Sequence, residues 1–451
     1  MTATDVSATS ESVPCERDHA SGIELSKRAH ELIPGGCHTY AKGDDQFPQN
    51  SPKFIARGQG CHVWDVDGNE FIEYGMGLRA VTLGHAYPSV VKAAARQMEL
   101  GANFNRPSPL EVECAERFLE FVRRADMVKF TKDGSAALDG GLKLARAWTG
   151  RDMVAICADH PFFSSSDWFI GSTGIPGGIP EWTRQHTVKF RYNDVASLVE
   201  LFERFPDRIA CVVLEPARTE EPVDDFLGRL KQACHDHGAL LMLDEMITGF
   251  RWHRHGAQHV YDIDPDLTTF GKALGNGFAI SALAGRREIM EQGGLRTDRD
   301  RVFLLSTTHG AETHALAAAM AVLDVYENEP VVETLYECGA MLRRGVGEVV
   351  QALGLQDRFT LSGRDCCMFY GTLDAEGRPS QPLRTLFLQE TIKRGVLAPS
   401  FVTSYSHSPA DIDFTIGAVE GALKVYGQAL EDGVERYLVG PSVKPVYRSR
   451  V

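Results

Sequence analysis

Long hydrophobic runs are absent from this sequence of 451 residues, and no stretch approaches the roughly 20 apolar residues that a membrane-spanning helix needs. A basic excess is also absent, since the formal net charge is −14. Nucleic acids and anionic membranes are bound through basic surfaces, so we expect neither as a partner. The polar residues 1–22 lack the basic and then apolar layout of a signal peptide, which predicts a flexible tail and a cytoplasmic protein.

Paired cysteine motifs are missing as well. The ten cysteines are scattered and none forms a CxxC pair, which is typical of reduced cytosolic thiols. The histidine-containing segments 234–237 and 253–255 lack zinc spacing, so no metal is expected. A P-loop is excluded at Lys272, because Ala273 follows it and Asp266 stands where the first glycine should be.

Short apolar segments alternate with segments of helical periodicity through the middle of the chain. Strands are predicted at Met127–Thr131, Met153–Cys157, Val188–Arg191, Cys211–Leu214 and Leu240–Leu243. Because these strands are apolar on both faces, they indicate a mostly parallel sheet covered by helices, that is, an α/β domain. A further strand is predicted at Phe303–Gly310, which ends in hydroxyl-bearing residues.

After residue 326 the pattern changes to long helices and short strands, which is typical of an α+β domain. The predicted organisation is therefore a tail at 1–22, an N-terminal segment at 23–75 that packs with the small domain, a large α/β domain at 76–326 and a small α+β domain at 327–451.

Polar residues stand where several of the predicted strands end. Asp244 and Glu215 each follow a buried strand, and Gly134-Ser135 lies between a strand and a helix. The Gly-Ser turn either caps the helix or directs its N–H groups at a phosphate. Because ligands bind at the carboxyl ends of parallel strands, we expect these residues around one site.

Lys272 lies 28 residues after Asp244, between a glycine and small residues. A lysine on such a loop is suited to forming a Schiff base with an aldehyde cofactor, and a carboxylate at a strand end is suited to pairing with a ring nitrogen. Arg79 interrupts an apolar, glycine-rich segment and has two interpretations: a surface salt bridge, or a contact to a substrate anion.

Several motifs resemble the class III pyridoxal-phosphate aminotransferases, close to the glutamate-1-semialdehyde 2,1-aminomutase branch. The resemblance covers roughly residues 25–430, and its motifs lie at 32–36, 63–69, 83–86, 145–151, 243–251 and 270–275. It implies fold type I, with a mostly parallel large domain and a smaller C-terminal domain. It also implies pyridoxal 5'-phosphate as cofactor, and a homodimer with shared active sites.

Matching positions imply the roles of the reactive residues. Lys272 would hold the cofactor as a Schiff base, and Asp244 would keep its pyridine nitrogen protonated. Glu215 matches an acid near the substrate side. Lys272, released by an incoming amine, would then move a proton between the substrate and the cofactor.

The resemblance also implies which residues bind the phosphate. Gly134, Ser135 and Ala136 would bind it from one subunit, although the family's glutamate in this turn is missing. Thr308, or alternatively Thr307, would reach it from the other subunit.

Other departures fall where the family binds its ring and substrate. The family's Tyr-His-Gly is replaced here, so the ring that stacks on the pyridine is Phe162 or Phe163. The aminomutase's carboxylate-binding arginine falls at Lys42, and its Ser-Trp pair falls at 77–78. Lys42 and Arg79 are therefore the candidate substrate contacts.

These features predict an enzyme that moves an amino group from a small-molecule donor, for which glutamate is common in the family, to a keto or aldehyde acceptor. Residues 440–446 are similar to sequences of surface-saccharide pathways, which adds amino-sugar or specialised biosynthesis to the expected settings. The alternative is a glutamate-1-semialdehyde-type aminomutase or an amino-acid racemase on the same cofactor. A cofactor-free binding protein of the same fold is a third hypothesis.

Overall fold

The computed structural model describes residues 17–448, which divide into two compact units. The first unit combines Thr334–Val446 with the described residues up to Met76, and the second combines Gly77–Glu333 with the described residues after Val446. Among residues 17–448, no helix has both the length and the apolar character needed to cross a membrane.

The secondary structure follows in chain order. The strands are β1 (Ile55–Gln59), β2 (His62–Asp65), β3 (Glu70–Glu73), β4 (Met127–Thr131), β5 (Met153–Cys157), β6 (Thr187–Phe190), β7 (Ile209–Leu214), β8 (Leu240–Asp244), β9 (Leu267–Phe270), β10 (Ser281–Gly285), β11 (Phe359–Ser362), β12 (Phe369–Thr372) and β13 (Val396–Leu397). The helices are α1 (Ala20–Leu32), α2 (Met76–Arg79), α3 (Pro88–Glu99), α4 (Pro109–Val122), α5 (Gly134–Thr149), α6 (Asp167–Ile170), α7 (Glu181–Arg184), α8 (Val195–Arg204), α9 (Phe226–Asp236), α10 (Ala257–Val260), α11 (Arg287–Met290), α12 (Thr313–Asn328), α13 (Val331–Ala352), α14 (Gln381–Lys393) and α15 (Pro409–Asp432).

The second unit is built on a sheet that has seven strands among the described residues, in the order β4-β10-β9-β8-β7-β5-β6. Strand β10 is antiparallel to both neighbours, and the other pairings are parallel. Every residue of β5, β7 and β8 is buried, because α5 packs on one face of these strands and α8 and α9 pack on the other. This arrangement confirms the predicted α/β class with its mostly parallel sheet.

The first unit is an α+β assembly. Its strands form the sheet β1-β2-β3-β13 and the ribbon β11-β12, and α13, α14 and α15 contribute to its hydrophobic core. The Asp67-Gly68 pair predicts a hairpin over Val63–Tyr74, and the antiparallel β2–β3 pairing confirms it. Strand β13 adds to β3 in parallel, with Val396 opposite Ile72. Two segments that lie far apart in the sequence therefore share one sheet.

The strand prediction at Phe303–Gly310 is wrong. Within residues 17–448 this segment has no ladder partner and follows an irregular path, and Leu305 has a left-handed φ of 47°. The side chain of Phe303 is 73% exposed, so the apolar start of the segment is not buried in a sheet. The place beside β4 is taken by β10, which pairs through five residues with β4 and through four of them with β9.

Candidate active site

Three polar side chains meet at the carboxyl edge of the central sheet. Asp244 ends β8, Glu215 follows β7, and His160 stands three residues after β5. These strands are neighbours, and each of the three residues is at most 5% exposed. The backbone N–H of Glu215 donates to Nδ1 of His160 at 3.0 Å, which joins two of the strand ends directly. The edge therefore carries a buried polar cluster where parallel sheets bind ligands.

Asp244 is a buried acid whose ionised form would be favoured by a nearby positive charge. Its Oδ1 accepts hydrogen bonds from the N–H of Met246 at 2.9 Å and from the hydroxyl of Thr269 at 3.2 Å. Burial, reinforced by the nearby Glu215, raises the pKa of Asp244 to about 7. A protonated pyridine nitrogen would supply the positive charge that favours the carboxylate, so the site fits that group.

Lys272 begins a short 3₁₀ turn directly after β9 and has a left-handed φ of 46°. A non-glycine residue held in this region costs about 1–3 kcal/mol, and such strain persists where the surrounding structure over-determines it. Gly271 shows how tightly this loop is packed, since a Cβ there would lie 2.4 Å from Oγ of Ser281. The backbone of the loop therefore holds the lysine in one place.

The electrostatic surroundings favour a neutral amine on Lys272. Burial lowers its pKa, and Arg79 and Arg251 lower it further, whereas Asp244 and Glu215 oppose the shift. A neutral amine is the form that attacks an aldehyde carbon. The structure thus brings Lys272, Asp244 and Glu215 into one electrostatic neighbourhood.

Met246 links the glycine turn to the lysine loop, a role that its sequence motif does not predict. A Cβ on Gly134 would lie 2.9 Å from the sulfur of Met246, and a Cβ on Gly271 would lie 2.6 Å from the same atom. Only glycine fits at such distances without a shift of the neighbour. Met246 therefore holds the start of α5 and the Lys272 loop beside the strand that carries Asp244.

The Gly134 turn forms the N-terminus of α5, a helix of 16 residues. The side chain of Asp133 caps it by accepting the N–H of Ala136 at 2.9 Å, so that N–H group is already engaged. Oγ of Ser135 accepts the N–H of Ser165 at 3.0 Å, which leaves the hydroxyl proton of Ser135 for a ligand. The capping geometry and an anion site at this N-terminus are therefore compatible.

The other candidates from the sequence lie in different settings. Thr307 and Thr308 are exposed in the second unit, and the carbonyl of Thr308 accepts from the side chain of Asn103 at 3.1 Å. Lys42 is exposed in the first unit, at the end of a 3₁₀ turn. Arg79 is half-buried in the second unit and influences Lys272 electrostatically.

Arg79 belongs to a left-handed turn that no sequence signal predicts. Met76, Leu78 and Arg79 have φ values of 42°, 60° and 69°, which are unfavourable for residues other than glycine. A buried guanidinium, that of Arg251, donates to the carbonyl of Arg79 at 2.8 Å and to the hydroxyl of Thr82 at 2.9 Å. Arg251 therefore fixes the turn that presents Arg79.

The two phenylalanines that the sequence favours for ring stacking are poorly placed. The ring of Phe163 is 1% exposed in the hydrophobic core, where it meets Phe169 edge-on. Phe162 is 48% exposed and also packs edge-on against Phe169. The ring of Phe163 is therefore engaged in core packing, and the ring of Phe162 is about half exposed.

Outside this site, two clusters of the first unit bring possible metal ligands together: His19 with Asp65 and Asp67, and Cys61 with His62 and Asp411. Asp411 is occupied by the N–H and hydroxyl of Ser408, at 2.8 and 2.6 Å, as part of the cap of α15. His62 pairs with Glu70 at 2.8 Å and with Asp411 at 3.1 Å. Helix capping and ion pairing account for the cluster around Asp411, and His19 is paired with Asp65 at 3.3 Å in the other cluster.

Known proteins share this architecture. The family described as aminotransferase class-III matches residues 42–158 and 174–354. The chain is 33% identical to a glutamate-1-semialdehyde 2,1-aminomutase of Syntrophobacter fumaroxidans over 88% of this chain and 96% of that protein. The FumI protein of Sphingopyxis sp. MTA144, solved with PLP, is 29% identical with a TM-score of 0.84 over 92% of this chain and 98% of that one. An omega-transaminase from Sphaerobacter thermophilus is 25% identical with a TM-score of 0.80, over 90% and 98%.

The α/β fold, with a lysine and an acid at its sheet edge, defines a pyridoxal-phosphate-dependent transaminase of fold type I. More specifically, the chain belongs to the class III aminotransferase family, because the family match covers well over half of its length. Its cofactor is pyridoxal 5'-phosphate. The predicted family, fold, enzyme class and cofactor are thereby confirmed.

Proposed function

We propose that this protein transfers an amino group between two separate substrates, an amino donor and a keto or aldehyde acceptor. The proposal rests on the buried Asp244 and the Lys272 amine at one sheet edge. The pKa of Asp244 is raised and that of Lys272 is lowered, so the surroundings favour the neutral form of each. When bound, the cofactor would act as an electron sink for the substrate Cα–H bond. Lys272 would hold the cofactor and carry the proton away from Cα, and Asp244 would hold the proton on the ring nitrogen.

The substrate side supports transfer between two molecules. The aminomutase resemblance places a Ser-Trp pair at 77–78, where this chain has Gly77 and Leu78 in a left-handed turn. The turn leaves Leu78 38% exposed and is followed by a cation, Arg79, in place of the aminomutase pattern. We therefore assign the chain a different substrate from that of its aminomutase relatives. Glutamate as donor, and an acceptor from amino-sugar or specialised biosynthesis, belong to the same proposal.

A half-reaction tests this function. The enzyme with bound cofactor, mixed with an amino donor alone, should lose the visible absorbance of the lysine-bound cofactor and keep the pyridoxamine form until an acceptor is added. Stopped-flow absorbance over a panel of donors, beginning with glutamate, measures this. Recovery of the original spectrum with donor alone, together with an isomerised product, would show the aminomutase or racemase reaction instead.

The aminomutase remains the second candidate function, since curated relatives with that name are 33% identical over most of the chain. Such an enzyme completes its reaction on one substrate and releases no keto acid. Chromatography of the products from glutamate alone therefore separates the two functions, because only transamination yields an amount of keto acid equal to the amount of enzyme.

Arg79 is the substrate contact that we propose for a carboxylate or other anion. Arg79→Ala should raise the KM of an anionic substrate roughly tenfold to a hundredfold, because a charge-assisted hydrogen bond contributes about 1.5–3 kcal/mol. Bound cofactor should be unchanged, since Arg251 holds the backbone of the turn and not its side chain. Arg79→Lys should recover only part of the effect, because lysine lacks the planar fork. An unchanged KM in Arg79→Ala would exclude Arg79 as the contact to the substrate anion.

We also propose that the protein works in the cytoplasm as a homodimer with shared active sites. Thr308 is exposed on a segment that also exposes Phe303, and the nearby Phe104 is 50% exposed. Exposed apolar residues grouped around a candidate phosphate ligand are typical of a surface that a second subunit covers. None of the nine described cysteines forms a disulfide and eight of them are buried, which suits a reducing compartment.

A further inference from the structure

His160 is held at the cofactor edge by contacts from two directions. Its Nδ1 accepts the N–H of Glu215 at 3.0 Å. The ring of Tyr192 lies 5.2 Å from the imidazole, and the Tyr192 hydroxyl donates to the carbonyl of Pro216 at 2.6 Å. The preceding acid, Asp159, accepts the N–H of Tyr192 at 2.8 Å. The imidazole is therefore fixed by the ends of neighbouring segments and is not a mobile surface ring.

The chemical state of this ring follows from the same contacts. Because Nδ1 accepts an amide proton, the neutral tautomer that carries its proton on Nε2 fits the hydrogen-bond network. Burial lowers the pKa of His160, and Arg218 lowers it further, while Glu215 opposes the shift. A neutral imidazole is a flat, uncharged aromatic ring, which can lie against a cationic pyridinium without repulsion.

We propose that His160 is the residue whose ring covers the pyridine ring of the cofactor. The inference rests on the cofactor placement at Asp244 and Lys272 described above. His160 is the aromatic residue that the Glu215 backbone joins to that cluster, whereas Phe163 is buried in the core and Phe162 faces solvent. The Glu215 amide sets the angle of the ring, so the acid on the substrate side and the ring on the cofactor side are positioned by one hydrogen bond.

Two substitutions separate the ring from its hydrogen bond. His160→Asn keeps an acceptor for the Glu215 N–H but removes the ring, and His160→Phe keeps a flat ring but removes the acceptor. If the ring covers the cofactor, His160→Asn should weaken cofactor binding roughly three- to tenfold. His160→Phe should stay within about twofold of the natural protein.

Cofactor affinity, measured by equilibrium dialysis of the full chain, is the first readout. The induced circular dichroism of the bound cofactor is the second, because it reports the asymmetric environment of the ring independently of turnover. It should change in His160→Asn and persist in His160→Phe. His186→Asn is a matched control: the same chemical change, made just before the amino end of β6, should leave both readouts unchanged.

The opposite pattern would overturn the proposal. Loss of affinity in His160→Phe with normal binding in His160→Asn would mean that His160 only supports Glu215. Normal binding in both, with weakened binding in Phe162→Ala, would assign the ring to Phe162. Failure of the proposed cofactor placement is a separate result, because Lys272→Ala would then retain reducible covalent cofactor whatever the His160 variants do.

Discussion

Replacing Lys272 by Ala is expected to abolish covalent attachment of the cofactor and to lower turnover by about 10³- to 10⁴-fold. The loss follows from removing both the amine that holds the cofactor and the base that moves the substrate proton, and general acid–base catalysis alone contributes up to about 10⁴-fold. The measurement is mass spectrometry of the protein after borohydride reduction, combined with single-turnover kinetics.

The backbone should tolerate this change. Lys272 has a φ of 46°, and alanine has a similar preference against that region, so the strain of the loop stays nearly the same. Lys424→Ala is the matched control, since Lys424 pairs on the surface of α15 with Glu420 at 2.9 Å. Lys424→Ala should lower the stability of the helix by at most about 0.5 kcal/mol and should keep its bound cofactor. Borohydride-stable cofactor in Lys272→Ala would show that another lysine forms the Schiff base.

Replacing Asp244 by Asn should lower turnover by about 10²- to 10³-fold, the range typical of removing one preorganised electrostatic group. Asparagine keeps an oxygen for the N–H of Met246 and the hydroxyl of Thr269, so the local geometry should survive. Because the amide cannot hold a proton on the ring nitrogen, the cofactor loses its strength as an electron sink. Attachment to Lys272 should persist, which distinguishes this variant from Lys272→Ala.

As the pH rises, the cofactor-free form of Asp244→Asn should become more stable than the cofactor-free natural protein. The pKa of Asp244 is about 7 in the folded chain and about 3.9 when unfolded, so its favourable contribution is complete below pH 4 and is lost as the pH approaches 7. Asparagine does not ionise, so at pH 8 the variant should be more stable than the natural protein by about 3–4 kcal/mol. Urea unfolding at pH 5 and pH 8 measures the difference.

Glu245→Gln provides the contrast for that experiment. Glu245 is fully buried beside Asp244, but its carboxylate accepts the N–H groups of Ala257 and Gln258 at 2.8 and 2.7 Å. The Gln side chain should lower the free energy of unfolding by about 1–3 kcal/mol, because its NH₂ group would face an N–H donor and could not accept the hydrogen bond. The cofactor chemistry should be retained. Equal pH dependence of unfolding in Asp244→Asn and the natural protein would contradict the raised pKa.

The residues that sequence reasoning locates are those whose signal is local. Asp244 ends an apolar run, and Lys272 stands in a short motif, so each can be recognised from its immediate neighbours. The alternation of strands and helices similarly predicts the parallel sheet, because burial on both faces leaves a continuous apolar pattern. For these features, a few adjacent residues carry the physical cause.

The features that sequence reasoning misses depend on partners far along the chain. Arg251 is fully buried, and besides the nearby carbonyl of Ile247 its guanidinium donates to Arg79 and Thr82, far away in the sequence, whereas an arginine in isolation is expected on the surface. His160 gains its position from the amide of Glu215, 55 residues later. Both roles follow from tertiary contacts that no local pattern encodes.

Strand errors have the same origin. The segment 303–310 has the composition of a strand but finds no partner among the described residues, while β10, which places Leu283 among smaller residues, pairs on both sides. Strand propensity mainly reflects packing against cross-strand neighbours, so it fails where those neighbours are unknown.

The parallel pairing of β3 with β13 has a consequence during synthesis on the ribosome. Ile72 leaves the ribosome early, but Val396, which it faces in the sheet, follows only after roughly 15 to 65 seconds at the usual 5–20 residues per second. Until then the N–H groups of Ile72 and Tyr74 lack the carbonyls of Gly395 and Leu397 that accept them in the finished protein. This hairpin edge therefore lacks its pairing strand for the whole interval, during which it is exposed to pairing with other chains.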